Sequence, residues 1–219
     1  MTEFVCTDCG TSFSLRQEVL DKYPGWSPKQ CLACRTGSTP GAKPPAKAGR
    51  GGRRRTTLIE ENLTTAQVLA KYTSGPTDGV FTDGSAHPNP GPGGWGAVYV
   101  VGGEVVAQEH GASSTTTNNR MELTALIHGF DLVPVGAPAV VYTDSKLCVD
   151  TINTWARTWE QAGWKRKTGP IKNLDLVKEL YAKATSRPEL RLEWIAAHTG
   201  SRWNEYADSL STAYLREEL

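Results

Sequence analysis

No stretch of the chain approaches the roughly 18 consecutive apolar residues of a membrane-crossing helix, which excludes an α-helical span. The first residues, Met1-Thr2-Glu3-Phe4-Val5-Cys6, have neither a basic start nor an apolar run. A secretory leader is therefore not expected, and the expected setting is cytoplasmic, with no membrane partner. Acidic residues are missing between Asp21 and Glu60, a segment that holds Lys22, Lys29, Arg35, Lys43, Lys47, Arg50, Arg53, Arg54 and Arg55. The net charge of +1 thus hides an asymmetry: ten Lys/Arg face four Asp/Glu before residue 60, and fourteen face nineteen from there on. A basic arm ahead of an acidic domain suits a protein that handles nucleic acid, although a charged, solubilising linker has the same composition. With 219 residues, 38% of them hydrophobic, and seven Trp, the chain has material for one ordinary domain plus something small.

The small part is residues 1–35. Two C-x-x-C pairs, Cys6/Cys9 and Cys31/Cys34, stand 21 residues apart, close to the spacing of a four-cysteine zinc site. So short a segment buries too little apolar surface to fold unaided, and one structural Zn²⁺ would supply much of its folding energy. Disulfides are the weaker explanation in a cytoplasmic chain. Phe4-Val5-Cys6-Thr7-Asp8-Cys9-Gly10, Phe13 and Pro28-Lys29-Gln30-Cys31-Leu32-Ala33-Cys34-Arg35 together resemble small zinc-ribbon-like modules of bacterial proteins. Phe13, Tyr23 and Trp26 serve either to stack on bases or to pack around the metal, so nucleic-acid binding and docking of a protein partner both stay open. Residues 36–57, rich in Pro, Gly, Ala, Lys and Arg, read as a flexible linker. Residues 58–77 continue it with a short helix capped by Thr64 or Thr65 and running to Tyr72, to which the sequence assigns no task.

From residue 78 the pattern alternates. Val80-Phe81-Thr82 predicts a strand, and residues 96–101 and 104–108 predict a hairpin about Gly102-Gly103. Met121, Leu123, Leu126, Ile127 and Phe130 have helical spacing within 118–132. Strands are predicted at 139–142 and 190–195, and helices at roughly 145–156, 173–185 and 204–217. The order implies an α/β domain over 78–219: a mixed five-stranded sheet with helices on both faces, beside the small N-terminal domain.

Chemistry concentrates on carboxylates in separated stretches: Thr82-Asp83-Gly84-Ser85, Asn118-Asn119-Arg120-Met121-Glu122-Leu123, Tyr142-Thr143-Asp144-Ser145, and Asp208 ten residues after His198. Asp83 and Asp144 are expected at adjacent strand ends, and Glu122 and Asp208 in the first turns of their helices. Singly, each is an ordinary turn residue or a favourable charge at a helix start. Gathered, they repel one another, and the natural compensation is a pair of divalent cations; oxygen-only ligands suit Mg²⁺ or Mn²⁺. Two such ions can clamp the attacking and leaving oxygens of a phosphodiester, so metal-dependent phosphodiester hydrolysis is the reading these residues give.

In their order and spacing, these motifs from Asp78 to Tyr214 resemble type 1 ribonuclease H, a family of the ribonuclease H-like fold that cuts RNA in RNA–DNA hybrids. The resemblance implies that Asp83 bridges both metals, Asp144 completes one site, and Glu122 with Asp208 serve the other. It implies in-line attack by water, leaving 3′-hydroxyl and 5′-phosphate ends, with His198 handling a proton or product release. It further implies that Asn118, Asn119 and Glu122, with backbone near Ser85, Ala86 and Lys146, read RNA 2′-hydroxyls. Thr117 and Asn173, with Arg120 nearby, match a pocket for a DNA phosphate, and Asn89 matches another contact. The segment Trp155 to Lys167 resembles the family's duplex-gripping handle; Trp155 is read as core, and Trp164, Lys165, Arg166 and Lys167 as substrate-binding. Cys148 reads as a buried structural thiol. His87 and Lys146 add positive charge near the site. The chain is expected to be free-standing and monomeric. Another nuclease of the same fold class, cutting junctions or double-stranded RNA, and a hybrid-binding adaptor with a relic site are the competing readings.

Overall fold

A computed structural model describes residues 2–15, 17, 21, 27–31, 34 and 62–219. The chain divides into two compact units, Met1–Ile59 and Glu60–Leu219. Tyr23, Trp26 and the linker expected at 36–57 lie outside the described residues.

The first unit contains an antiparallel hairpin of β1 (Thr2–Val5) and β2 (Ser12–Leu15). Phe4 pairs with Phe13 across it, their ring centroids 5.9 Å apart. At the tip the chain folds back on itself, with Gly10 N–H donating to the Cys6 carbonyl at 2.9 Å and Cys6 N–H to Thr11 at 3.0 Å. Thr7 ties the second cysteine pair to this tip, since its N–H and its hydroxyl both donate to the Lys29 carbonyl, at 2.8 and 2.9 Å.

The second unit opens with α1 (Thr65–Lys71), started by a capping box in which the Thr64 hydroxyl accepts from Gln67 N–H and the Gln67 side chain accepts from Thr64 N–H. Then come β3 (Gly79–Ala86), β4 (Gly91–Val101), β5 (Glu104–Thr116), α2 (Asn118–Leu132) and β6 (Ala139–Thr143). Next are α3 (Lys146–Asp150), a π turn (Thr151–Trp155), α4 (Ala156–Gln161), α5 (Leu174–Ser186), β7 (Leu190–Trp194) and α6 (Arg202–Ser211), with a 3₁₀ turn at Ala213–Leu215. The five strands order as β5-β4-β3-β6-β7, antiparallel from β5 to β3 and parallel from β3 to β7. This is the mixed sheet the sequence implies.

Strand β3 is buried on both faces because helices cover both. Val80 belongs to one core cluster with Leu126, Phe130, Val141, Leu180 and Leu192, while Phe81 belongs to another with Val98, Val100, Trp203, Tyr206 and Leu210. Alternation along the strand therefore points Asp83 to the same side as Phe81, toward α6. No described helix is long and apolar enough to cross a membrane.

Three expectations change. Residues 62–77 are not linker: Val68 of α1 is 2% exposed and packs in the cluster with Trp203 and Tyr206, because α1 lies along α6. Trimming it, Val68→Ala, is expected to cost roughly 2 kcal/mol, a middling value for a buried aliphatic truncation, measured by urea unfolding of the full chain. Strand β4, predicted at 96–101, begins at Gly91. The predicted helix 145–156 is α3 continued through the π turn, and α6 begins two residues earlier than expected and ends at Ser211.

Candidate active site and metal centres

The last paired residues of the parallel ladder are Thr82 and Thr143, so Asp83 and Asp144 follow side by side at the carboxyl end of adjacent strands, where open sheets gather ligands. Glu122 arrives from the other face. A Cβ at Gly84 would lie 2.1 Å from Glu122 N and 2.2 Å from the Met121 carbonyl carbon; only glycine lets α2 come this close to β3. Carboxylate oxygens of Asp83, Glu122 and Asp144 then lie within 4.8 Å of one another.

Burial first, and then the charges of Asp208 and Asp144, hold the Asp83 carboxyl well above the usual carboxylate range. Glu122 is raised in the same way, by burial and then by Asp83 and Asp144. Burial also raises Asp144, against the pull of the Asn204 amide and the His198 imidazole. Fixed polar groups complete the surround. Ser211 Oγ donates to Asp83 Oδ2, Thr143 Oγ1 donates to Glu122 Oε2 at 3.4 Å, and Trp194 Nε1 donates to the Asp144 carbonyl at 3.0 Å. The Oδ1 of Asn204, which is 3% exposed, has no partner among the described residues. Mutually repelling, buried oxygen ligands with orienting groups behind them fit a hard divalent cation.

Asp208 is near enough to act on Asp83 electrostatically but is not part of the tight trio. It is the seventh residue of α6, and Glu122 is the fifth of α2; neither sits in a first turn as expected, α6 because it starts two residues upstream and α2 because Glu122 already lies one turn in from Asn118. Asp208 therefore approaches the site from the middle of its helix. His198 is exposed at φ 51° on the loop between β7 and α6, and its charge acts on Asp144.

The residues matched to substrate contact fall in two groups. Asn89, Thr117 and Asn118 share a corner beside Asp83: Thr117 caps α2, Asn118 Oδ1 accepts from Ala86 N–H at 2.7 Å, and Asn89 Oδ1 accepts from Asn118 N–H at 3.4 Å. Asn119, Asn173 and Arg166 line a cavity of about 130 Å³ together with Trp155, Trp159, Leu147 and Lys172. Arg120 is held by Asp175 through two bonds of 3.2 and 2.8 Å. Lys165, Arg166 and Lys167 are exposed.

The two tryptophans exchange their expected places. Trp155 is 39% exposed at the cavity, because the π turn rotates it off the core. Trp164 is half-buried, edge-on to Tyr181 at 5.9 Å, with Lys178 Nζ 5.5 Å above its ring, which leaves only part of the ring for a ligand. Cys148 is buried as expected, and burial pushes its thiol up to about 12. Ser211, Thr143, Asn204 and Trp159 are site residues that the sequence does not single out; Ser211 carries a signal, since it stands three residues after Asp208 on one helix face.

In the first unit the Sγ atoms of Cys6, Cys9, Cys31 and Cys34 lie within 4.8 Å of one another. Cys9 and Cys31 sulfurs are 3.7 Å apart, beyond any disulfide, and all are free thiols. The Cys31 N–H, helped by those of Asp8 and Cys9, holds the Cys6 thiol down to about 6. Crowding by the Cys9 and Cys31 sulfurs pushes Cys34 up. Four convergent sulfurs, one of them readily ionised, fit a tetrahedral Zn²⁺.

A mixed sheet presenting three acids on adjacent elements defines an α/β domain with a candidate divalent-cation site. The RNase H family model matches residues 77–216, and the chain belongs to that family. A ribonuclease H of Methylorubrum extorquens (strain PA1) is 43% identical over 140 residues, covering 64% of this chain and 60% of that protein; the chain thus spans less than two thirds of that relative. A ribonuclease H of Alcanivorax borkumensis is 39% identical over 139 residues, covering 63% of this chain and 91% of that one. The crystal structure of LC9-RNase H1, a type 1 RNase H with the type 2 active-site motif, is similar at TM-score 0.53 and 33% identity, covering 64% of this chain and 74% of that one.

Proposed function

We propose that the protein is an endoribonuclease that hydrolyses the RNA strand of RNA–DNA hybrids, leaving 3′-hydroxyl and 5′-phosphate ends. The observation that carries this is the trio Asp83, Glu122 and Asp144 within 4.8 Å at the ends of adjacent strands. Two Mg²⁺ ions, held by these acids with Asp208, would supply charge stabilisation to the attacking and leaving oxygens. Mn²⁺ has the same ligand preference. The protein's own residues do the rest. Ser211 and Thr143 fix the carboxylates in orientation. Asn118, Asn119 and Glu122 meet the minor groove, where 2′-hydroxyls distinguish RNA, Asn89 makes a further contact, and Thr117 with Asn173 forms the pocket for a DNA phosphate. Asn173, the neighbouring Arg120 and the exposed Lys165, Arg166 and Lys167 position the DNA strand through its phosphates, with the free part of Trp164 beside them. His198, on its exposed loop, handles a proton or product departure. The N-terminal module, built on one Zn²⁺, adds affinity for nucleic acid or docks a protein partner. Its free thiols suit a reducing, cytoplasmic compartment.

Cleavage of a labelled hybrid by the full chain and by residues 58–219, with Mg²⁺ and rising salt, tests this. RNA in the hybrid is expected to be cut by both, with double-stranded RNA and DNA junctions left intact. For every phosphate that the module neutralises in the full chain, its removal should flatten the log–log salt slope by about one unit. If truncation changes nothing at any salt, the module docks a protein; if neither form cuts the hybrid, the enzyme reading fails.

A further inference from the structure

Helix α1 and the residues after it precede the segment matched by the family model, and the sequence gives them no task. We infer that residues 62–76 are a positioning element for the loop that carries His198, holding it and the start of α6 against the carboxylate site. This rests on the role proposed for His198.

The loop is anchored at both ends. On the β7 side, Ile195 N–H donates to the Thr143 carbonyl at 3.0 Å and Trp194 Nε1 donates to the Asp144 carbonyl. On the α6 side the anchor comes from the segment after α1. Ser201 is a residue type suited to cap α6, yet its side chain makes no cap bond. Instead the first helical amide, Arg202 N–H, donates to the Ser74 carbonyl at 2.8 Å, and Ser74 bridges Ser201 as in a parallel ladder. An orphan amide of a helix start is thus satisfied by backbone from far earlier in the chain.

Side chains reinforce the contact. Arg202 Nη2 donates to the Leu69 carbonyl at 3.4 Å. A Cβ at Gly200 would lie 3.6 Å from the Tyr72 ring, and a Cβ at Gly75 would lie 2.4 Å from Ser201 Oγ. Gly75 also has φ +106°, a conformation that favours glycine. Between its anchors the loop passes through two left-handed residues, His198 at φ 51° and Gly200 at φ 78°. Backbone of that kind persists only where its surroundings determine it, and here the surroundings on the α6 side are residues 72–76.

The test uses the full chain. Gly75→Val drives a side chain into Ser201, and Tyr72→Ala, a milder change, removes the ring beneath Gly200. Leu190→Ala, in the opposite core cluster, is the control for lost stability alone. Amide exchange over 197–204 and hybrid cleavage are measured for each, in the His198 and His198→Ala backgrounds. Both brace variants are expected to exchange about ten-fold faster in that window. Their kcat should fall roughly 3- to 30-fold with KM unchanged, and the loss should vanish in the His198→Ala background, as coupled sites require. Unchanged exchange, an equal kcat loss in Leu190→Ala, or a full additive loss on top of His198→Ala would overturn the inference. Should the parent chain fail to cut the hybrid, the functional reading falls, while exchange alone still decides whether the brace holds the loop.

Discussion

Asp83→Asn is expected to abolish hybrid cleavage and, in the absence of metal, to make the protein more stable. Asp83 is the most enclosed of the acids, 7% exposed, and burial followed by Asp208 and Asp144 raises its pKa. The amide keeps the shape and can still meet Ser211, but it carries no charge for a cation. Single preorganised electrostatic groups are worth about 10²–10³ in rate, and the acid proposed to hold the cations most directly should cost at least the upper figure. The stability gain has the opposite sign because the native carboxylate is disfavoured. Its folded pKa lies above its unfolded one, so the folded protein binds a proton that the unfolded chain has released. This group's contribution is therefore greatest in acid, below the ordinary carboxylate range, and is lost as pH rises through the raised folded value. Removing the charge should flatten that slope and add roughly 1–3 kcal/mol near neutral pH, the scale of an uncompensated buried polar group. Urea unfolding in chelator from pH 4 to 8 measures both. Adding Mg²⁺ should stabilise the parent more than Asp83→Asn, since ligands that bind only the native state stabilise by mass action. An Asp83→Asn protein with unchanged metal-free stability would mean that the three acids do not repel one another as their geometry requires.

Removing zinc is expected to unfold the first unit and leave the second intact. Its described apolar packing includes the Phe4–Phe13 pair and the buried Cys6, Pro28 and Cys31, and a unit this short needs a staple such as a metal to offset chain entropy. Metal binding in such modules is folding energy, about 10–16 kcal/mol at neutral pH. Native mass spectrometry should find one zinc in the full chain and none in Cys31→Ser. In the zinc-free protein the Thr7 amide, bonded to Lys29 at 2.8 Å, should lose its exchange protection, while thermal unfolding of residues 60–219 stays where it was. Zinc retention should weaken as pH falls, because protons compete with the metal for all four sulfurs. A protected Thr7 amide in zinc-free protein would defeat the metal assignment.

Much of this is legible in the residues, and the parts that are not have physical reasons. Strands β3 and β6 and helix α2 have dense apolar periodicity, and the Gly102-Gly103 turn marks the hairpin. The three acids are legible because each ends or opens such an element. Strand β5 reads as ending near residue 108 but runs to Thr116. Its far half, His110-Gly111-Ala112-Ser113-Ser114-Thr115-Thr116, consists of small and polar residues, so it has no apolar alternation to detect. Ser211 goes unnoticed since a serine inside a helix usually signals nothing, and its hydroxyl meets Asp83 only through a tertiary contact. The short helix within 58–77 is legible from its Thr64 cap, but its packing is not, because a seven-residue helix buries one valine fully and its main bonds to the loop use backbone atoms that leave no trace in residue type. The reading of Trp155 as core is undone by the π turn, whereas Trp164, matched to the handle by resemblance alone, lies beyond α4 and packs edge-on to Tyr181.

That interruption governs how the groove is aimed. A π turn contains one residue more than the α-helix around it, and each residue of an α-helix advances by about 100°. The single surplus residue within Thr151–Trp155 therefore sets the phase of α4, and with it the azimuth at which Trp155 and Trp159 face Arg166 and Asn173 across the cavity. Segment length between Asp144 and Trp159, more than the identity of any side chain between them, determines the direction in which this wall faces.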